Sequence, residues 1–204
     1  MKKEKLLTYS TQLFADIIMA EQCLNCQLEI AKRMANDERI IHKEFFYLAR
    51  QSFLYTGTMI LCKIYEDDCR NKPFSIFQLI RWINNAISLN KEQKSKFDNL
   101  IFELDELSFI IDKLKKQRDS FYAHNDKILV DNAKTIEMMN LNHKEKMKLI
   151  QFARRFLTFV INMCNGKEGI SYTNVDLSVM RLGCVLDDLN RFYTLMEQEI
   201  KKYE

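Results

Sequence analysis

Apolar residues recur at helical spacing along most of this chain, and the pattern breaks at a few polar points. Residues 5 to 34 carry Leu13, Ile17, Ala20, Leu24 and Ala31 in register and predict a first helix that stops at Asn36-Asp37. A second helix is predicted from Glu38 to Tyr65. Phe45, Leu48, Phe53, Ile60 and Ile64 lie on its apolar faces, and the small residues Ala49, Ser52, Gly57 and Thr58 leave room for a neighbour. A charged stretch, Glu66 to Lys72, closes at Pro73. A third helix follows over Ser75–Ile87, and the fixed φ of proline suits a helix start. The most regular pattern runs from Asn90 to Ala123. Phe97, Leu100, Leu104, Leu107, Ile111 and Leu114 alternate spacings of three and four, the seam of a helix-packing stripe, and Phe121 lies beyond them. Asn125 to Asn142 has weak periodicity and reads as a connection. Asn142 with Glu145 has the spacing of a capping box opening a fifth helix, which runs to about Cys164 and ends at Asn165-Gly166 and Gly169. A last helix is predicted from Asp176 to Lys202.

Composition agrees with that pattern. One proline and four glycines in 204 residues disfavour a turn-rich β architecture. The expected fold class is all-α: a bundle of five or six helices forming a single domain over residues 1–204. With 47% hydrophobic and 29% charged residues the chain is an ordinary globular one. A net charge of +3 means that any nucleic-acid surface has to be local. The charged start, Met1-Lys2-Lys3-Glu4-Lys5, reads as no signal peptide, and no apolar run approaches a membrane span. A cytoplasmic location without membrane attachment is the expectation, with the six cysteines as free thiols.

The apolar seam of the fourth helix, continued past Leu114, meets Arg118 before Phe121. A guanidinium in a core-facing stripe is costly unless it is paired or faces a cleft. One reading is an arginine satisfied by a carboxylate on a neighbouring helix; the other is a site. His124 lies six residues on, about 120° around and about 9 Å along a straight helix, so convergence needs a helix end, a bend or a second copy of the chain.

The string Arg118-Asp119-Ser120-Phe121-Tyr122-Ala123-His124-Asn125-Asp126 resembles the Arg-x(4–6)-His motif of the HEPN superfamily of helical RNases and RNA-binding domains. It is most similar to the abortive-infection branch, with its Arg-Asp…Ala-His-x-Asp string. Leu48 through Ile80, with Lys63-Ile64-Tyr65-Glu66-Asp67 and then Ser75-Ile76, resembles the helix pair that precedes the motif. The resemblance covers about residues 45 to 200. It implies a metal-independent endoribonuclease acting on single-stranded or loop RNA in a toxin or phage-defence setting, working as a homodimer with both motifs at one cleft. It implies no cofactor. RNA, a second copy, and an antitoxin or other regulatory protein are the expected partners. Arg118 would hold the phosphate, His124 would transfer protons with its ordinary pKa of ~6.5, and Asp119 would orient one of them or cap the helix. Asp126 stands where the toxin branch carries a tyrosine, so no role is borrowed for that position. The alternative is a non-catalytic helical module that binds RNA or a protein, with Arg118 and His124 structural.

RNA-contacting candidates are Asn125, Asp126, Lys115, Lys116, Arg154 and Arg155. Lys144, Lys146 and Lys148 add charge to the fifth helix, by default on a solvated face. Cys23-x-x-Cys26, even with Cys62 and Cys69, reads as thiols rather than a zinc site, and no metal site is expected. His42 and His143 read as solvated, and Phe152, Phe156, Phe159 and Ile161 as core.

Overall fold

The computed structural model describes residues 2–36, 44–67, 75–119, 141–166 and 177–200, and among them it contains seven helices and no strand. These are α1 (Lys2–Ala35), α2 (Glu44–Ile64), α3 (Ile76–Ala86), α4 (Lys91–Glu106), α5 (Ser108–Gln117), α6 (His143–Asn165) and α7 (Leu177–Ile200). The described residues form the all-α fold that the pattern predicts. The helix count exceeds the expected five or six because the predicted fourth helix is two. It breaks at Leu107 (φ −85°, ψ −3°), whose N–H is shared between the Glu103 and Leu104 carbonyls. Glu103, Asp105 and Glu106 set negative charge at the C-terminal end of α4, where the helix dipole disfavours it, and no basic residue offsets them in the last turn. Helical bonding resumes at once through Ile111 N–H to Leu107 C=O. Pro73 and the 125–140 connection lie outside the described residues.

Local chemistry sets the helix ends. Ser75 caps α3 by accepting from Gln78 N–H. Asn90 and Gln93 form a capping box on α4, and Asn142 and Glu145 form one on α6, each pair satisfying two otherwise orphaned N–H groups. Gly166 ends α6 in the left-handed region at φ 64°, which glycine adopts without steric cost.

The chain divides into two compact units: Met1–Glu21 with Thr58–Thr173, and Gln22–Gly57 with Asn174–Glu204. In the first, α6 packs on both α4 and α5. Phe152, Phe156 and Ile161 are buried in it, as read from the sequence, while Phe159 is half-buried; Leu157 and Val160 are buried beside them. Phe97 of α4 stacks on Phe159, and Phe152 on Phe156. The second unit has a small core of Ile30, Phe46 and Leu186, extended by Met34, Ala49, Phe53, Leu182 and Leu189. Arg33 bonds there with Glu29, Asp187 and the Gly183 carbonyl. Phe46 is the inward residue near the start of α2; Phe45 and Leu48, placed on an apolar face by the pattern, are exposed. The run Phe45-Phe46-Tyr47-Leu48 is apolar all round, so only the packed partner identifies its inner face.

Candidate active site around Arg118

The end of α5, the last turn of α2 and the first turns of α6 meet in the first unit. Along α5 the buried seam continues through Ile111 and Leu114 to Gln117, so the inward position three residues after Leu114 is a glutamine. Arg118 follows at its edge, its side chain 24% exposed, with its N–H on the Leu114 and Lys115 carbonyls. At Arg118 and Asp119 the helix takes the wider π form, a local geometry frequent at functional sites.

Two carboxylates hold the guanidinium. Nε donates to Asp119 Oδ1 at 2.7 Å, and Nη1 donates to Glu66 Oε2 just beyond the end of α2. The Asp119 bond, then that of Glu66, holds Arg118 above its ordinary pKa against the opposing cost of burial. Glu66 is the more enclosed carboxylate, and Asp119 is exposed. The carboxylate-satisfied arginine is therefore present, yet the group is not sealed: the Nη2 donors are uncommitted among the described residues. Two fixed carboxylates set the plane of the fork, which suits bidentate recognition of an anion.

Behind Arg118 lies Cys62 of α2, whose thiol donates to the Leu114 carbonyl at 3.7 Å. Burial pushes that thiol up to about 12; Arg118 opposes the rise, Asp119 and Glu66 add to it, and Lys146 opposes it. Tyr65 is fully buried and donates to the Leu149 carbonyl at 2.6 Å, and burial keeps its phenol well above the ordinary range. On α6, Lys146 is 2% exposed. This corrects the expectation of a solvated face: Lys144 and Lys148 are exposed, but Lys146 shares the inner face with Leu149, Ile150 and Ala153. The signal was readable, since Leu149, Ile150 and Ala153 follow Lys146 by three, four and seven residues and so share its face.

Of the other candidate residues, His124, Asn125 and Asp126 lie outside the described residues. Lys115 stands over the Phe77 ring at 5.7 Å, and Lys116 is exposed. Arg154 pairs with Glu21, and Arg155 with Glu103. Arg155 also borders an open groove with Lys96, Asn99 and Phe159. Cys23, Cys26 and Cys62 are buried thiols outside any disulfide.

The family model described as AbiU2, of HEPN type, matches residues 3–178. The chain belongs to the AbiU2 family of HEPN domains. The match runs from α1 through α6 and stops at the first residues of α7, so it contains the whole Arg118 region. This family is an abortive-infection one, which gives the chain that general setting. No curated protein and no solved structure matches the chain. No helix among the described residues is long and apolar enough to cross a membrane.

Proposed function

We propose that this AbiU2-family chain is an endoribonuclease that cleaves single-stranded or loop RNA through attack of the ribose 2′-OH, in a toxin or phage-defence role, with a second copy completing the site. The observation that carries the reading is the guanidinium of Arg118, fixed by Glu66 and Asp119 at the widened end of α5 in a chain of HEPN type. In this chemistry the 2′-oxygen loses its proton and bonds to phosphorus. The 5′-oxygen leaves and gains a proton, giving a 2′,3′-cyclic phosphate and a 5′-hydroxyl. Arg118 supplies the donors for the charge that develops on the phosphoryl oxygens. His124 supplies proton transfer near neutral pH. One such histidine per chain and two proton transfers per cleavage favour a two-fold dimer. RNA, a second copy and an antitoxin or regulatory protein are the partners this reading calls for. The nucleophile belongs to the substrate, so DNA is not cleaved and EDTA leaves the reaction intact.

The pairing of Arg118 with two carboxylates also favours a second reading, a helical module that binds RNA or a protein without cutting. Incubating purified chain with labelled RNA and EDTA and resolving the product ends separates the two. Cyclic-phosphate ends from wild type, lost in Arg118→Ala, support the ribonuclease; intact RNA with retained binding supports the module.

A further inference from the structure

The outer face of α4 and α5 breaks two local rules at once. The first is apolar exposure. Phe102 and Phe109 are 66% and 71% exposed, while Phe97, Leu104 and Ile111 of the same two helices are buried. The two phenylalanines stand seven residues apart, about two helical turns, so they share a face and lie roughly 10 Å apart along it. Helical bonding carries across Leu107 between them, from Leu107 N–H to Glu103 C=O and from Ile111 N–H to Leu107 C=O. The second broken rule is charge. Residues 97–112 hold five carboxylates, Asp98, Glu103, Asp105, Glu106 and Asp112, and no lysine or arginine, in a chain whose net charge is +3. Asp105 and Glu106 stand in the last turn of α4, where the helix dipole disfavours them.

The acids cluster on the phenylalanine face. Asp98, Asp105 and Glu106 lie three or four residues from Phe102, and Asp105, Glu106 and Asp112 lie three or four from Phe109, the spacings of neighbours on a helix surface. All four of these carboxylates are exposed. Asp98 pairs with Lys94, and Glu103 pairs with Arg155. Asp105, Glu106 and Asp112 form no ion pair among the described residues. Lys113 marks the edge of the face: its ammonium lies 5.9 Å from the centre of the Phe109 ring and is bonded to Glu145.

A partner that covers this face has to be apolar at its centre and cationic at its rim. A nucleic acid is disfavoured, since its phosphates would meet carboxylates. A second copy of the same face is disfavoured too, because a two-fold contact sets acids against acids. We propose that Phe102 and Phe109 anchor a docking surface for a basic amphipathic helix of another protein, with Asp98, Asp105, Glu106 and Asp112 receiving its lysines or arginines. Two anchors two turns apart suit a helix that presents apolar residues at spacings of three, four and seven. Aromatic anchors that leave water supply most of the affinity at such contacts, and the charged rim selects and speeds the encounter. The proposal holds whether or not the chain cleaves RNA.

The test uses the full chain and two synthetic helical peptides with the same leucines at spacings of three and four. One carries lysines at its other positions and the second carries glutamates. By fluorescence anisotropy, wild type should bind the lysine peptide about tenfold or more tightly than the glutamate peptide, and added salt should weaken that binding. Phe102→Ser combined with Phe109→Ser should weaken it by roughly tenfold or more, and Asp105→Lys combined with Asp112→Lys by a similar factor. All four side chains are exposed, so the circular-dichroism spectrum should not change. A measurement on wild type needs no variant: amide resonances that shift on adding the lysine peptide should cluster at residues 98–113. No binding by wild type, undiminished binding by either double variant, or shifts confined to other residues overturns the proposal. A wild-type dimer in sedimentation that Phe102→Ser with Phe109→Ser dissociates overturns it as well, since the occupant is then a second copy.

Discussion

The two ends of α6 are built on opposite terms. Its C-terminal half buries Phe152, Phe156, Leu157, Val160 and Ile161, with Phe159 stacked on Phe97 of α4, and every one of those contacts is apolar. Its first turns bury Lys146, and Leu149 in the next turn accepts from the Tyr65 hydroxyl of α2. Apolar burial stabilises at roughly 25 cal/mol per Å². Burying an ammonium costs stability. The difference teaches where the molecule spends stability: one end of α6 holds the bundle together, and the other keeps a charge that the bundle alone would disfavour. Local rules are broken in natural proteins chiefly at functional sites, and here the broken rule and the HEPN arginine share a junction.

Four substitutions sharpen that contrast. The largest stability effect belongs to the apolar end: Phe156→Ala should lower unfolding free energy by about 3–5 kcal/mol in chemical denaturation, since nothing polar compensates the cavity. At the polar end the sign reverses. Lys146→Met should raise stability by up to about 3 kcal/mol near neutral pH, because the fall from 10.5 to about 8 measures the cost of keeping the ammonium charged in the fold. The pH dependence has the same origin. Below about 8 the lysine is protonated folded and unfolded, and the penalty is complete. As pH rises toward 10.5 the unfolded chain binds the extra proton, so folding is increasingly favoured. Between pH 8 and 9 the stability of wild type should therefore rise relative to that of Lys146→Met by roughly 1 kcal/mol. The buried thiols, Cys62 at about 12 among them, act in the opposite sense as the unfolded thiols ionise around 9, and they do so equally in both proteins. A denaturation series in which both proteins stay parallel across pH 8–9 would erase the distinction between the two ends.

Smaller effects test the joint between them. Asn142→Ala removes the side chain that caps α6; a loss of about 1 kcal/mol is expected by thermal unfolding. Asp119→Asn keeps a hydrogen-bond acceptor for Arg118 Nε on an exposed side chain, so stability should change by less than about 0.5 kcal/mol, and any RNA cleavage should fall less than in Arg118→Ala. A stability loss equal to that of Asn142→Ala would make Asp119 a structural partner of the helix end.

Much of the apolar end was legible beforehand. The seam from Phe97 through Leu114, the aromatic face of α6 and the Asn142–Glu145 cap all follow from local spacing. The break at Leu107 was not, because a run of acidic residues near a helix end does not say whether the helix bends or continues. Arg118 announced itself through its place in the seam. Its partner Glu66 lay in a string read as charged and as part of the resemblance, but not as the partner of Arg118, since the pairing joins residues 52 positions apart. Lys146 was misread because four charges between Lys144 and Lys148 look like a solvated face, and only its spacing from Leu149, Ile150 and Ala153 separates the inward one. The second unit was hardest to read: Phe45, Phe46 and Leu48 carry no period, and Phe46 alone of the three turns inward.

The central claim is that the Arg118 region with His124 forms a ribonuclease site. Its most direct measurement is the rate of RNA cleavage by wild type and by His124→Ala, with EDTA present and product ends resolved. The account predicts 2′,3′-cyclic phosphate ends from wild type, a rate about 10²–10⁴-fold lower in the variant, and an unchanged helical circular-dichroism spectrum. Equal cleavage by the two proteins, or no cleavage by wild type of any single-stranded or loop RNA, would contradict it.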